Sequence, residues 1–431
     1  RAVAFERLLA DHPKVRRVSV AGSLRRRMET VHDADLLASV DEADRDEVMD
    51  AFVGAPLVDA VIAHGPTKSS VRTAGGLQVD LRAVSDDEFP FALHHFTGSR
   101  EHNTRLRSRA KKLGLKMSEW GVFRGEERLH ASTEEEVLAL IGLPWIPPEL
   151  REDLGEVEAA EEGRLPRLLE PEDLHGVLHV HTTYSDGRNS LREKVEAARD
   201  RGWSWIGIAD HSQTPVYANG LPVERVRAQH AEIRELSRTI EGIAILAGIE
   251  SDILEDGSLD YDDEILAEFD FVIASVHSQL SMPRERMTER ILTAIRHPAT
   301  TVLGHPTGRQ LLVREPYDVD LERILAEAGR LGVAVELNAG PHRLDLDWRW
   351  CRKAVAEGVT ISIGPDAHRA EALDDTLLGV GVARKGWLTA KDVLNTRGTD
   401  DLREHFVRRR AAWKPVPGRR SRWGERGELL P

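Results

Sequence analysis

Two histidines separated by one residue are the first feature of this sequence that suggests chemistry. They lie in LHVHTTYSDG, residues 178–187, and Asp186 follows the second of them by five positions. Residues i and i+2 of a strand share a face, so His179 and His181 are able to bind one metal ion while Asp186 approaches from the next loop. A surface strand that runs into a polar turn has the same pattern, so this stretch alone does not decide.

Seven short apolar segments between about residues 174 and 400 alternate with amphipathic helical segments, which is typical of β/α folds. The predicted strands are GVLHVHT, WIGIADH, AILAGIES, FVIASVH, TVLGHP, VAVELNA and TISIGPDAH. Nearly every one of them ends in a histidine or an acid. Because the carboxyl ends of the strands of a β/α barrel meet at one mouth, these side chains are expected to converge. The predicted metal ligands are His179, His181, Asp186, His211, Glu250, His277, His305, Asp366 and His368.

This mixture of imidazole and carboxylate ligands favours Zn²⁺, Mn²⁺ or Fe²⁺ over Ca²⁺. Nine ligands are too many for one ion, so we expect two or three ions, with a carboxylate such as Glu250 bridging them. Clustered ions suit phosphoester hydrolysis, because one activates water while another stabilises the leaving oxygen.

These segments resemble the PHP (polymerase and histidinol phosphatase) domain in LHVHTTYSDG, IADHS, GIESDI, ASVHS, LGHPTGR and IGPDAH. The resemblance implies a distorted seven-stranded β/α barrel with a site for three ions. It implies that Asp210 and Asn338 support the ligands or the fold rather than bind metal. The implied ligand sets are His179, His181, Glu250 and Asp366 for one ion, Glu250, His277 and His305 for the second, and Asp186, His211 and His368 for the third.

A second group of candidate residues lies in VAGSLRRRMETVHDADLL, residues 20–37. A predicted strand ends at Gly22 and Ser23, where glycine lets a phosphate approach the backbone and the following helix offers free N–H groups. Asp33 and Asp35 share one face of the next strand, and Asp80 in LQVDLR is a third candidate. Three carboxylates on adjacent strands are able to hold two Mg²⁺ ions for nucleotidyl transfer.

This stretch resembles the palm of the family X DNA polymerases, the group of DNA polymerase beta and terminal transferase. The segment HFTGSREHNTRLR, residues 95–107, is similar to their thumb motif. The resemblance implies catalytic, metal-binding roles for Asp33, Asp35 and Asp80, with Asp80 helping to activate the primer 3′-hydroxyl. It implies nucleotide contacts for Gly22, Ser23, Arg26, His95, Phe96, Gly98 and Asn103, and DNA contacts for Lys68, Arg107, Arg109, Lys111 and Lys112.

Three residues depart from the family pattern. His32 stands where many members have glycine, His95 replaces the usual tyrosine of the sugar pocket, and Trp120 replaces a common thumb tyrosine. The sequence begins with Arg1 and shows no lyase domain or helix-hairpin-helix segment before the palm. We therefore expect it to be part of a longer protein.

The net charge of −14 argues against a uniformly basic nucleic-acid binder, but local basic tracts are present. Residues 100–116 hold seven Lys/Arg and one Glu, and residues 408–426 hold eight and one. The sequence has one cysteine, Cys351, which excludes an internal disulfide. We find no signal peptide and no apolar run near the roughly 18 residues of a membrane helix. We expect a cytoplasmic, nucleoid-associated monomer that binds gapped or primer–template DNA and dNTPs and no membrane.

The predicted fold class is a multidomain chain with α/β and α+β parts. It has a nucleotidyltransferase palm and a small thumb, followed by a distorted (β/α)7 PHP barrel. The predicted bounds are 1–90 for the palm, 91–148 for the thumb, 149–173 for an acidic linker, 174–405 for the barrel and 406–431 for a basic tail.

A palm and thumb joined to a PHP domain is the arrangement of bacterial family X polymerases. It implies a DNA-repair enzyme that fills gaps with two Mg²⁺ or Mn²⁺ ions in the palm. It also implies a Mn²⁺-dependent 3′-5′ exonuclease or 3′-end processing activity in the barrel. Two alternatives remain: a small-molecule PHP phosphatase of the histidinol-phosphate type with a relic first half, and a DNA-binding scaffold whose metals only stabilise the fold.

Overall fold

The computed structural model describes residues 1–418, 420, 422–423 and 429–430. It divides the chain into two compact units, Arg1–Pro166 and Arg167–Pro431. Among the described residues, no helix combines the length and the apolar character that a membrane crossing requires.

The first unit is built on a five-stranded mixed sheet in the order β1-β2-β5-β4-β3, where β2 and β5 run parallel and the other pairs antiparallel. A small antiparallel sheet, β6-β7-β8, follows it. The strands are β1 Val15–Val20, β2 Asp33–Val40, β3 Val58–Ala63, β4 Lys68–Thr73, β5 Gln78–Val84, β6 Lys116–Ser118, β7 Gly121–Arg124 and β8 Glu127–Arg128. The helices are α1 Ala2–Ala10, α2 Gly22–Arg25, α3 Arg45–Val53, α4 Phe89–Thr97, α5 Arg100–Lys112, α6 Glu134–Ala139 and α7 Glu156–Glu161.

The core of this unit lies between the large sheet and helices α1 and α3. Phe5 and Phe52 meet there with ring centroids 5.3 Å apart, and both are fully buried. Strands β1, β2, β3 and β5 coincide with four apolar runs that predict strands in the sequence, VRRVSVAG, ADLLASV, VDAVIAHG and LQVDLRAV. Strand β4 was not predicted, because its sequence KSSVRT has a single large apolar residue, Val71.

The second unit contains seven parallel strands in the order β15-β14-β13-β12-β11-β10-β9. The ends of this sheet approach each other, since Ala367 N–H donates to His179 O and His181 N–H donates to Ala367 O. The strands are β9 Gly176–Val180, β10 Trp205–Ile208, β11 Ala244–Asp252, β12 Phe271–Ser275, β13 Val302–Leu303, β14 Ala334–Asn338 and β15 Ile361–Gly364, with short β16 Arg422–Trp423 and β17 Leu429–Leu430 near the C-terminus. The helices are α8 Leu191–Asp200, α9 Val223–Thr239, α10 Asp263–Leu266, α11 Arg284–Arg296, α12 Leu321–Leu331, α13 Trp348–Ala356, α14 Thr376–Lys385 and α15 Thr399–Arg410.

All seven predicted strands of the barrel are present, and helices alternate with them as expected for a β/α fold. Two features of the sequence explain why α8 is helical. Ser190 and Glu193 form a capping box, and Val195 and Ala198 bury one face against the sheet. At the opposite end of the barrel from the strand C-termini, α15 packs Phe406 on Phe271 at the start of β12. This packing leaves the carboxyl ends of the strands open for the site.

The acidic segment 149–173 is more than a solvated linker. Arg151 and Glu156 are fully buried within the first unit, and His102 Nδ1 lies 2.6 Å from Glu156 Oε1. These buried pairs fold the first part of the segment onto the thumb, and the division between units falls after Pro166. The predicted basic tail 406–431 overlaps the last turns of α15, and its residues 419, 421, 424–428 and 431 lie outside the described residues.

Candidate functional sites

The three predicted catalytic aspartates, Asp33, Asp35 and Asp80, lie where the parallel strands β2 and β5 are side by side. Asp35 is directly opposite Asp80 in the register, and Asp33 projects from the same face as Asp35. Burial, followed by the charges of Asp33 and Asp80, raises the pKa of Asp35. Carboxylates that repel one another in this way form a site that divalent cations would stabilise.

The turn at Gly22 brings the backbone against these carboxylates. Gly22 has φ +62°, and a Cβ atom at this position would collide with the carboxylate of Asp35. Glycine is therefore required both by the backbone conformation and by the close approach. Ser23 follows in α2, a single helical turn whose first residues face the cavity.

A cavity of about 410 Å³ brings the predicted nucleotide contacts together. All seven of them line it, as do Asp33, Asp35 and Arg107, while Arg100, from the basic tract 100–116, is an additional lining residue. The full set is Gly22, Ser23, Arg26, Asp33, Asp35, His95, Phe96, Gly98, Arg100, Asn103 and Arg107.

The arginines that follow Gly22 form hydrogen bonds with acidic side chains and with a backbone oxygen. Arg26 Nη1 donates to Thr97 O at 2.5 Å and Arg26 Nε to Glu152 Oε1 at 2.9 Å. Arg25 Nη2 donates to the buried Glu134 at 2.5 Å. Glu134 also accepts from the fully buried Arg151 at 2.8 Å. These acids were not predicted as part of the site, since no local motif marks a contact that spans more than a hundred residues.

His95 and Asn103 are joined through the backbone, because Asn103 Nδ2 donates to His95 O at 2.7 Å. Burial lowers the pKa of His95 despite the nearby carboxylate of Glu119. His95 therefore faces the cavity as a neutral imidazole at neutral pH.

The predicted DNA-binding residues differ in their surroundings. Arg107, Lys111 and Lys112 are exposed on α5. Lys68 Nζ lies 2.7 Å from Asp80 Oδ2. Burial would raise the pKa of Asp80, but hydrogen bonds from Lys68 and its neighbours outweigh burial and lower it. Arg109 instead binds within the unit, donating to Ile141 O at 2.7 Å and pairing with Glu161.

In the second unit, Glu250 at the end of β11 is the centre of the predicted ligand cluster. Its Oε1 lies 3.0 Å from His305 Nε2 and 3.3 Å from both His179 Nε2 and His277 Nε2. Its Oε2 lies 2.9 Å from His211 Nδ1. A single buried carboxylate therefore contacts imidazoles from four other strand ends, which is the geometry of a bridging ligand.

Three overlapping groups offer ligand atoms within 4.8 Å of one another. His181 and His211 each belong to two of them, whereas the sequence assigned each histidine to a single ion. His305 belongs to none of the three and joins the cluster through Glu250. The groups are His181, Asp186, His211 and His368, then His179, His181 and Asp366, and finally His211, Glu250 and His277.

The residues of this cluster fit metal ions. Several of their buried nitrogen and oxygen atoms have no hydrogen-bond partner within the described part of the chain. Leaving such atoms buried and unpaired is costly, and bound cations would satisfy several of them. The atoms are His179 Nε2, His181 Nδ1 and Nε2, His211 Nδ1, His305 Nδ1 and Glu250 Oε2.

The pKa values divide the cluster into two kinds of histidine. Burial lowers the pKa of His181 to about 3 and that of His305 to about 4. Burial has the same sign at His277 and His368, but the carboxylates beside them outweigh it and raise their pKa to about 10 and about 9. Imidazole binds a metal only when neutral, so a cation would take the place of the protons held by the second pair.

Two carboxylates behind the ligands were not predicted. Glu336 on β14 lies 2.5 Å from His179 Nδ1 and accepts the His305 backbone N–H at 2.7 Å. Asp252 lies 2.5 Å from His277 Nδ1. Such contacts fix which ring nitrogen faces the ion. Asp210 behaves as expected for a supporting residue, since it is fully buried and binds Thr182, Ser185 and Gln229.

Comparisons with known proteins find matches to both units of the chain. The family model of the DNA polymerase beta thumb matches residues 92–152, and that of the PHP domain matches residues 177–340. The chain is 43% identical over 410 residues to the DNA polymerase/3′-5′ exonuclease PolX of Bacillus subtilis (strain 168), covering 94% of this chain and 71% of that protein. A probable phosphatase of Thermoanaerobacter sp. (strain X514) is 30% identical over 233 residues, covering 51% of this chain and 90% of that protein.

Among solved structures, the polymerase beta of Leishmania infantum in a ternary P/T complex is 22% identical, with a TM-score of 0.31, over 35% of this chain and 74% of that one. The identity to the Bacillus protein extends through both units, whereas the phosphatase matches about half of the chain. The chain therefore belongs to the bacterial family X DNA polymerases, in which a polymerase beta-like part is joined to a PHP domain.

Proposed function

We propose that this chain extends DNA primers with its first unit and removes nucleotides from DNA 3′ ends with its second. The observation that carries the proposal is the presence of two separate carboxylate centres. One borders an open cavity with arginines, and the other is a buried cluster centred on Glu250. The first chemistry forms phosphodiesters of DNA and the second hydrolyses them, which gives one chain a reason to hold both.

In the first unit, the chain's own residues bind and orient an incoming dNTP. The backbone at Gly22 and Ser23, with Arg26, would bind the triphosphate, because free N–H groups and a guanidinium complement its charge. Phe96 and Gly98 would shape the sugar pocket, where His95 presents a neutral imidazole. Asn103 and Arg107 would lie beside the nascent base pair.

Asp33, Asp35 and Asp80 would hold two divalent cations, Mg²⁺ or Mn²⁺. When bound, these cations neutralise the phosphate charge and assist loss of the proton from the primer 3′-hydroxyl. The chain's contribution is to fix three carboxylates on adjacent strands at the edge of the cavity. Asp80 is kept ionised by its hydrogen bonds, as its lowered pKa indicates.

In the second unit, the nine predicted ligands would hold up to three ions of Mn²⁺, Zn²⁺ or Fe²⁺. When bound, these ions activate water and stabilise the leaving oxygen of a phosphodiester. Glu336 and Asp252 would orient His179 and His277 toward the ions. Glu250 would bridge two ions.

DNA would contact the exposed basic side chains of α5. Lys68 would also contact DNA when cations occupy the aspartates. Arg107, Lys111 and Lys112 remain proposed phosphate contacts, with a salt-dependent contribution. We leave Arg109 out of the proposed DNA surface, because its guanidinium is engaged by Ile141 and Glu161. We further propose a monomer that works in the cytoplasm, where its DNA substrate is found.

Two other functions compete with this proposal. A small-molecule phosphatase would need only the second unit, but the first unit retains all three aspartates, and its cavity is lined by Asp33, Asp35 and every predicted nucleotide contact. A DNA-binding scaffold with structural ions would use the same ligands as a nuclease, so only a measured activity separates the two.

The test uses a primer labelled at its 5′ end on gapped DNA with Mn²⁺, resolved on a sequencing gel with and without dNTPs. Extension with dNTPs and shortening without them are expected. Shortening alone would remove the polymerase half of the proposal for this chain. No change in either lane, with bound metal measured, would overturn the proposal and favour the phosphatase or the scaffold.

A further inference from the structure

Two apolar side chains stand exposed at the tip of the loop that follows the predicted ligand His211. Val216 is 84% exposed and Tyr217 is 77% exposed. We propose that Tyr217, with Val216 beside it, is the surface on which the second unit stacks the nucleobase at the 3′ end of a DNA strand. This inference rests on the exonuclease activity proposed above and adds a positioning residue to it.

The base of this loop is fixed to the metal-binding cluster. Leu221 N–H donates to the backbone oxygen of His211 at 2.9 Å. Asn219 Nδ2 donates to Ser185 O at 3.1 Å, in the residue before the predicted ligand Asp186. Thr214 N–H donates to the fully buried Asp260 at 2.6 Å. The exposed tip is therefore held beside two ligand-bearing segments.

The carboxylates of the cluster affect the pKa of the Tyr217 hydroxyl, while the Tyr217 side chain remains open to solvent. Partial burial of the hydroxyl, followed by the charges of Asp252, Glu250 and Asp186, raises the pKa of Tyr217 to about 12. Tyr217 lies two residues before Asn219, which donates to Ser185 O, so its exposed ring stands next to the segment that carries Asp186.

The residues around the metal-binding cluster favour a nucleotide as the group that binds there. Arg188 and Arg369 are exposed next to the cluster, and Arg188 N–H donates to the backbone oxygen of His368 at 2.7 Å. Guanidinium groups complement the phosphates of a strand, and an exposed aromatic ring complements the face of a base. A small phosphate ester would use the cations alone and would leave the ring of Tyr217 without a role.

The test compares Tyr217→Ala and Tyr217→Phe with wild type, using single-stranded oligonucleotides and Mn²⁺. One oligonucleotide ends in a normal nucleotide, and a matched one ends in an abasic residue. Val407→Ala is the control, because Val407 is 66% exposed on α15 at the opposite end of the barrel. A third oligonucleotide carries 2-aminopurine at its 3′ end, so that stacking quenches its fluorescence on binding, before any cleavage.

We expect Tyr217→Ala to raise KM for the normal strand about tenfold, the order of a lost base–aromatic stack, with kcat little changed. Tyr217→Phe and Val407→Ala should match wild type. On the abasic strand, wild type and Tyr217→Ala should have the same KM. The 2-aminopurine quenching should be present in wild type and lost in Tyr217→Ala.

Three outcomes would overturn the inference. The first is an equal loss on the abasic strand, which would mean that Tyr217 contacts the backbone or supports the fold. The second is a loss in Tyr217→Phe as large as in Tyr217→Ala, which would mean that the hydroxyl is used. The third is bound 2-aminopurine that is not quenched by wild type. A wild-type protein without exonuclease activity would contradict the proposed function, and the quenching would still decide the stacking.

Discussion

The two centres of this molecule hold their acidic residues in opposite ways. In the first unit, three aspartates lie on two adjacent strands, and Asp33 and Asp35 are partly exposed at an open cavity while Asp80 beside them is buried. In the second unit, ligands come from six of the seven strand ends, and His179, His181 and Glu250 are at most 1% exposed. A small, open set of carboxylates suits ions that arrive with the substrate, while a buried set rich in imidazole suits ions that stay bound.

The centres share one feature behind this difference. An acid outside the predicted site residues holds each of them: Glu152 holds Arg26 in the first unit, and Glu336 holds His179 in the second. The same principle thus supports the open centre through Arg26 and the buried centre through its predicted ligands.

The largest expected effect is that of Asp80→Ala on DNA synthesis. Removing one of three metal-binding carboxylates should lower the synthesis rate by at least about a thousandfold, since such ions supply several kcal/mol of transition-state stabilisation. The exonuclease should keep its wild-type rate. Primer extension and degradation of the same labelled strand measure both. Asp59→Ala, an exposed aspartate on β3 of the same sheet, is the matched control and should retain synthesis. Loss of both activities in a folded Asp80→Ala protein would show that the centres are not independent.

His179→Ala is the reverse experiment. His179 is fully buried among Glu250, Glu336 and Asp366, so its loss should remove bound metal and lower exonuclease activity by a hundredfold or more (about 3 kcal/mol). Synthesis should persist. Elemental analysis of bound metal, gel assays and thermal unfolding provide the readouts, with His405→Ala on α15 as the control. If the second unit unfolds instead, its ions are structural, and the scaffold alternative gains support.

A smaller effect is expected for Glu336→Gln, which keeps the size of the side chain but removes its charge. Because Glu336 orients both His179 and the backbone of His305, metal affinity should fall about 10- to 100-fold. Titration of metal into the stripped protein measures this, and Glu357→Gln at an exposed position should have wild-type affinity. Unchanged affinity would mean that the ligands are oriented without Glu336, and the shared principle would not hold.

These acids also mark the limit of what the sequence revealed. The convergence of the candidate ligands was predictable because most of them lie at or just after the end of an apolar strand, and strand ends of a barrel converge by topology. Glu336 lies inside the strand VAVELNA, so it looks like one residue of an ordinary strand, and its partner His179 is 157 residues away. Glu134 is similar, since its bond to Arg25 spans 109 residues. Contacts of this kind follow from packing and leave no local pattern.

The smallest expected effect concerns Lys68, which the sequence placed on the DNA and the structure places 2.7 Å from Asp80. If cations displace it from Asp80 and it then contacts a phosphate, Lys68→Ala should weaken DNA binding a few-fold, equally for all sequences. The slope of log affinity against log salt should also fall by about one. Fluorescence anisotropy of labelled gapped DNA at several salt concentrations measures both, with Lys14→Ala, which pairs with Asp44, as the control. If Lys68→Ala instead leaves the salt slope unchanged and lowers the Mg²⁺ concentration that synthesis needs, Lys68 serves as a counterion of the aspartates when no cation is bound. The open centre would then carry its own substitute for the ions in Lys68, as the buried centre does in the protons held by His277 and His368.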